Sequence, residues 1–280
     1  MKQIETLHLF PKLTEKLLEL LSSLDTSDWL KSSPIKGRTV KDLVSHIIDG
    51  SLRKISSQRD NFFDNTNVSE INSYEDLVNH IQKLNKDWID ISRRLSPKIL
   101  IDLLEYSDKQ FYNMLKTLNP NETAIFPVAW AGESESKNWF DIAREYTEKW
   151  HHQMQIRLAL NKQILMDTEY TEPLYDTFML AVPNLYNVFT DFKDGDKIKF
   201  SITGILNKSW IIEWRKSKWE FSNSGFTDIH TSVELPDDIA WKIFTNTVTD
   251  KEKYKSCIKI TGDNSVGLRI LDLVTVMSRK

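Results

Sequence analysis

The chain has 280 residues, 40% of them hydrophobic and 28% charged, and its 37 basic and 40 acidic side chains leave a formal net charge of −3. That length implies two domains, each able to bury a core, and the interleaved charges exclude a nucleic-acid footprint. A single cysteine, Cys257, excludes an internal disulfide framework and any cysteine-based zinc site; the charged Met1-Lys-Gln-Ile-Glu start, with no apolar run near about 18 residues, points to a soluble cytoplasmic protein without a membrane span.

Helical periodicity runs through most of residues 1–160. Leu13, Leu17, Leu18, Leu20 and Leu21 follow Pro11 and predict a first helix that ends near Asp25. Thr39 is the expected N-cap of a second helix carrying Leu43, Val44, His46 and Ile47, with Asp42 suited to its positive end. Leu77, Ile81, Leu84 and Trp88 mark a third helix over 74–95, and Pro97 opens a fourth through Leu100, Leu104, Phe111 and Leu115. Residues 119–137 carry too many turn residues and prolines for a helix, and a loop of that length in a compact domain is more often functional than idle. A fifth helix is expected from Asn138, as its cap, to about Leu160, with Asp141 at the capping-box position.

Beyond Asn161 the period changes. One helix is expected over 173–189, and alternation predicts strands at 197–203, 209–214, 219–221 and 231–235. A helix follows from Pro236, then a last strand over 255–260 with Cys257 as a half-buried thiol, then a last helix over 266–277. The fold class is therefore α followed by α+β.

The fifth helix carries Glu148 and His152 four residues apart. Side chains at that spacing stand about 40° apart around the axis with Cβ atoms roughly 5–6 Å from each other, so one divalent metal can take both. A histidine from another helix would complete three protein ligands and leave a fourth position open, the pattern of a catalytic site. Against this, the helical wheel groups Ala143, Tyr146, Trp150 and Met154 on the opposite side, so periodicity alone leaves the pair on a solvated face. His46 lies at the edge of the arc formed by Leu43, Val44 and Ile47, where a lone histidine is usually structural.

The run Trp139-Phe-Asp-Ile-Ala-Arg-Glu-Tyr-Thr-Glu-Lys-Trp-His-His-Gln-Met-Gln-Ile-Arg, read with Thr39-Val-Lys-Asp-Leu-Val-Ser-His46, resembles the mycothiol-dependent maleylpyruvate isomerase family of the DinB-like metal-binding four-helix bundles. The resemblance implies a four-helix bundle over 1–162 and, through Pro183, Asp196, Ile202-Thr-Gly, Asp237-Asp-Ile-Ala-Trp and Thr261-Gly-Asp, a domain of sterol-carrier-protein type with a mainly antiparallel sheet over 163–280. It also implies one divalent metal, zinc by preference, held by His46, Glu148 and His152, and it sets aside His151, about 100° round the helix from His152. The segment Val128-Ala-Trp-Ala-Gly-Glu aligns with no known substrate contact of the family, so those contacts do not transfer.

The function so implied is a metal-dependent isomerase or S-transferase that uses a low-molecular-weight thiol, mycothiol or an equivalent, on a small electrophilic substrate. Arg144 and Arg157 are candidate anchors for acidic groups of substrate or thiol, and Trp130 a candidate pocket wall; each also has an ordinary structural reading. Asp42 and Asp49, at i−4 and i+3 from His46, are either imidazole partners or solvated acids. The alternatives are a non-catalytic metal- and ligand-binding protein and a hydrolase using metal-bound water. A monomer or homodimer is expected, with neither nucleic acid nor membrane as partner.

Overall fold

The structure, a computed structural model, describes residues 2–63, 71–222 and 225–277. The chain divides into two compact units, one built from Glu5–Pro127 and Glu135–Ile164, the other from Val128–Ser134 and Leu165–Val276.

In the first unit, α1 (Leu9–Ser22) buries Leu9, Phe10, Leu13, Leu17, Leu20 and Leu21, a single stripe at three- and four-residue spacing. Helix α2 (Val40–Lys54) opens on a complete capping box, the Thr39 hydroxyl accepting from the Asp42 amide and the Asp42 carboxylate accepting from the Thr39 amide. Helix α3 (Tyr74–Ser92) is capped by Ser73, and α4 (Pro97–Leu115) by Ser96 with Pro97 in its first turn. Helix α5 (Asn138–Ala159) differs: Lys137 occupies the cap position and no side chain caps the helix. The expected Asn138 cap with Asp141 in a capping box is not formed, because Asp141 is drawn instead into an ion-pair network with Lys54 and Arg144.

Helix α1 packs on α4, α4 on α2, α2 on α5, and α5 on α1, which closes a ring of four helices, while α3 packs on α2. Leu17, Leu20, Leu43, Val44, Ile47, Leu100, Leu104 and Ile156 meet in its core. Helix α5 is buried on nearly every side, its buried set including the polar Thr147, Lys149, His151, Gln153 and Gln155. The solvated face that the wheel assigned to Glu148 and His152 is thus half-buried: their side chains are 24% and 14% exposed. A helix inside a bundle has no side that must face water, so a polar stripe on it faces other helices.

The second unit holds a five-stranded sheet in the order β3-β2-β1-β4-β5, from β1 (Lys197–Thr203), β2 (Lys208–Arg215), β3 (Lys218–Phe221), β4 (Ile229–Pro236) and β5 (Lys259–Thr261). Only β1 and β4 pair in parallel, so the sheet is mainly antiparallel. The single helix expected over 173–189 is two, α6 (Thr168–Met179) and α7 (Val182–Tyr186), the second restarting with Pro183 in its opening turn, where a missing amide hydrogen is harmless. Helix α8 (Asp237–Phe244) follows β4, and Tyr175 of α6 donates its hydroxyl to the Asp237 carbonyl at 2.5 Å. Cys257 is exposed at the end of a 3-10 turn, Glu252–Cys257, rather than half-buried in a strand. The edge strand begins only at Lys259, and the last helix is the short α9 (Asn264–Leu268), continued by a 3-10 turn over Arg269–Asp272. Among the described residues no helix is long and apolar enough to cross a membrane.

Candidate metal centre

Helix α2 contributes His46 and helix α5 contributes Glu148, His151 and His152. The imidazoles of His46 and His152 meet edge to face, ring centroids 4.6 Å apart, although 106 positions of sequence separate them. On α5 the one-turn spacing brings His152 Nε2 to 3.5 Å from Glu148 Oε2. His151 also turns inward: its ring centroid lies 3.9 Å from that of His152, and donor atoms of Glu148, His151 and His152 all fall within 4.8 Å of one another. The sequence reading brought together His46, Glu148 and His152 and set His151 aside. A 100° offset separates the Cα–Cβ directions, but an imidazole nitrogen lies several bonds out, and rotation about those bonds closes the gap.

Hydrogen bonds orient both α5 imidazoles. His151 Nδ1 donates to the Thr147 carbonyl at 2.8 Å, and His152 Nδ1 donates to Gln155 Oε1 at 2.9 Å. The Thr147 carbonyl can only accept, so the neutral His151 ring carries its lone pair on Nε2. His152 turns its Nε2 toward the Glu148 carboxylate, 3.5 Å from Oε2. Among the described residues no hydrogen bond is made by the His46 ring or by Nε2 of His151.

Charge states suit the same role. Burial pushes the Glu148 carboxyl up, but His151, the facing His152 and Arg144 outweigh it and hold its pKa at about 2. Burial, reinforced by His152, lowers His151 to about 3 and drives His46 well below the usual imidazole range. At neutral pH Glu148 is an anion and these two imidazoles are neutral, the forms that bind a divalent ion. Imidazole and carboxylate donors of this kind fit zinc and several other divalent metals.

Around this centre α5 is held by two buried ionic networks. Lys54 of α2 bonds Asp141 and stands 3.7 Å from Glu145, while Arg144 reaches Asp141 at 2.6 Å and Glu145 at 2.5 Å. Burial opposes the charge on Arg144, yet Glu145 and Asp141 hold its proton more tightly than usual. One turn further on, Lys149 pairs with Asp108 of α4 at 2.6 Å, bonds the Ser51 hydroxyl at 2.7 Å and lies over the Phe111 ring. Thr14 of α1 donates to the second Asp108 oxygen at 2.8 Å.

The remaining sequence candidates have structural occupations. Arg157 donates to the main-chain carbonyls of Gln163 and Lys16, tying the end of α5 to α1. Arg144 is committed to its two acids. Trp130 is buried in a 3-10 turn, Ala129–Ala131, which belongs to the second unit. Asp42 and Asp49 are buried rather than solvated, and neither is bonded to His46. Asp42 is gripped by the Arg93 guanidinium at 3.0 Å through each oxygen, and Asp49 pairs with Arg53 at 3.0 Å. Gln155, three residues after His152, was a legible partner for that imidazole; the Thr147 carbonyl had no signal, since every helical residue offers one.

No family model matches the chain, and no curated protein matches it. Solved structures do. The mycothiol-dependent maleylpyruvate isomerase matches over 93% of both chains with a TM-score of 0.52 at 11% identity, and a histidine-to-alanine mutant of it over the same shares with a TM-score of 0.53 at 12% identity. Both units thus adopt the fold of that enzyme.

Proposed function

We propose that this chain is a metalloenzyme of the maleylpyruvate isomerase kind, which binds one divalent ion through His46, Glu148 and His152 and uses a low-molecular-weight thiol to isomerise, or to be transferred to, a small electrophilic substrate. The observation that carries this reading is the convergence of carboxylate and imidazole groups, with donor atoms of Glu148, His151 and His152 within 4.8 Å of one another and the His46 ring of α2 4.6 Å from that of His152. The shared fold supports the reaction class.

When bound, a divalent ion supplies the positive charge that lowers the pKa of a sulfhydryl, the thiolate being the nucleophile that adds reversibly to an electron-poor double bond in isomerisation or stays attached in transfer. The chain's own residues prepare for this. Thr147 and Gln155 hold the two α5 imidazoles through Nδ1, which leaves Nε2 of each ring free to face the ion, and Glu148 stays ionised. The Lys54–Asp141–Arg144–Glu145 network and the Lys149–Asp108 pair keep α5 from rotating, which would separate the donors from His46. Cys257, exposed in the second unit, is no part of this cluster, so the sulfur comes from outside the chain.

Elemental analysis of the purified chain, followed by assays on small unsaturated acids with and without a thiol, tests the proposal. One ion per chain and turnover that needs both ion and thiol are expected. Stoichiometric metal without turnover favours the binding-protein reading, turnover without thiol favours a hydrolase, and absence of metal ends the proposal. His152→Ala is expected to bind the ion more weakly while keeping its helix content by circular dichroism.

A further inference from the structure

The three-ligand reading leaves His151 without a role, yet its imidazole is 2% exposed and set against the same cluster. Its Nδ1 hydrogen is bound to the carbonyl one turn earlier, which fixes the ring and leaves a lone pair on Nε2 with no partner among the described residues. Histidines that ligate metals are held in this way, the second nitrogen donating to a carbonyl or carboxylate. Donor atoms around a tetrahedral ion with bonds of about 2.0–2.2 Å stand roughly 3.3–3.6 Å apart. The Glu148–His152 separation of 3.5 Å already meets that requirement, and a ligand atom of His151 lies within 4.8 Å of both.

We infer that His151 is a fourth protein ligand of the same ion, so that His46, Glu148, His151 and His152 together surround it when no thiol is present. The inference rests on the metal reading above and changes what that site is: closed in the resting protein, and opened when an incoming sulfur replaces a histidine. Helix α5 then supplies three of the four donors. His46, which has no hydrogen bond to orient it among the described residues, supplies the one donor that joins α5 to α2.

Zinc affinity measured by competition with a chromophoric chelator tests this on the wild type, His46→Ala, His151→Ala, His151→Phe and the His46→Ala/His151→Ala double variant. His151→Ala is expected to bind zinc about 10-fold more weakly or worse, a loss at least as large as that seen when a group supporting a metal ligand is removed. His46→Ala retains an ion on the three α5 donors, and the double variant, left with Glu148 and His152, loses stoichiometric zinc. Cobalt(II) absorption reads the coordination directly and is expected to shift in both His151 variants. X-ray absorption of the zinc-loaded wild type needs no variant, and three imidazoles are expected. Two imidazoles, or a folded His151→Phe protein with wild-type affinity and an unchanged cobalt spectrum, overturns the inference and leaves the three-ligand site standing. A wild type that binds no ion overturns both.

Discussion

Asp49 offers the sharpest link between burial and pH in the bundle. It lies on α2 with its side chain 7% exposed, and Arg53 one turn on is its ion-pair partner at 3.0 Å. Burial raises its carboxyl from the ordinary 3.8 to about 6, with Arg53 offsetting only part of the penalty. Because the folded pKa is raised, the proton is held more tightly in the folded chain than in the unfolded one. The contribution to stability is fully present below pH 4 and is lost as pH rises through 6. A rise of that size corresponds to at most about 3 kcal/mol. Asp49→Asn removes the charge at similar shape, so at pH 8 the variant is expected to be more stable by up to about 3 kcal/mol, the attraction to Arg53 being already included in the net rise, and at pH 4 to match the wild type. Urea unfolding at the two pH values measures the difference. Equal stabilities at pH 8, or a less stable variant there, would refute the argument that burial outweighs the Arg53 pair.

Lys149→Met leaves the Asp108 carboxylate buried without its cation and is expected to destabilise the bundle by about 3–5 kcal/mol, whereas Lys149→Met with Asp108→Leu recovers most of that loss; chemical denaturation of the single and double variants checks both. Thr39→Ala deletes one half of the α2 capping box and is expected to lose about 1 kcal/mol, read as a shift of the urea midpoint with unchanged slope. In the second unit Tyr175→Phe strips the Asp237 carbonyl of its buried donor and is expected to weaken that unit by about 1–3 kcal/mol, visible in its thermal transition.

What the sequence disclosed and what it withheld divide along one physical line. Stripes at helical or strand period report which side of an element meets apolar neighbours, so α1, α2, α4 and the strands β1 and β2 were legible, and the Thr39 cap was legible because its partner lies three residues away. Helix α5 obeys no such rule. Its inward side is lined by Asp141, Thr147, Lys149, His151 and Gln155, satisfied by Lys54, Ser51 and Asp108 from chain positions far away. Periodicity reads those residues as a wet surface, and only the contacts reveal a buried polar stripe. The Glu148–His152 pair could be singled out because two donors one helical turn apart form a local pattern; resemblance alone sets His46 beside it, and angular arithmetic, which ignores side-chain reach, does not foresee that His151 lies against the same group. A stripe of this kind is expensive to bury unless each charge finds a partner; the two networks supply partners for Asp141, Arg144, Lys149 and Asp108, while among the described residues neither side-chain polar atom of the buried Gln153 is bonded. What sets Glu148, His151 and His152 apart from such an unpaired amide is that their donor atoms converge within 4.8 Å of one another, the grouping on which the proposed metal site rests.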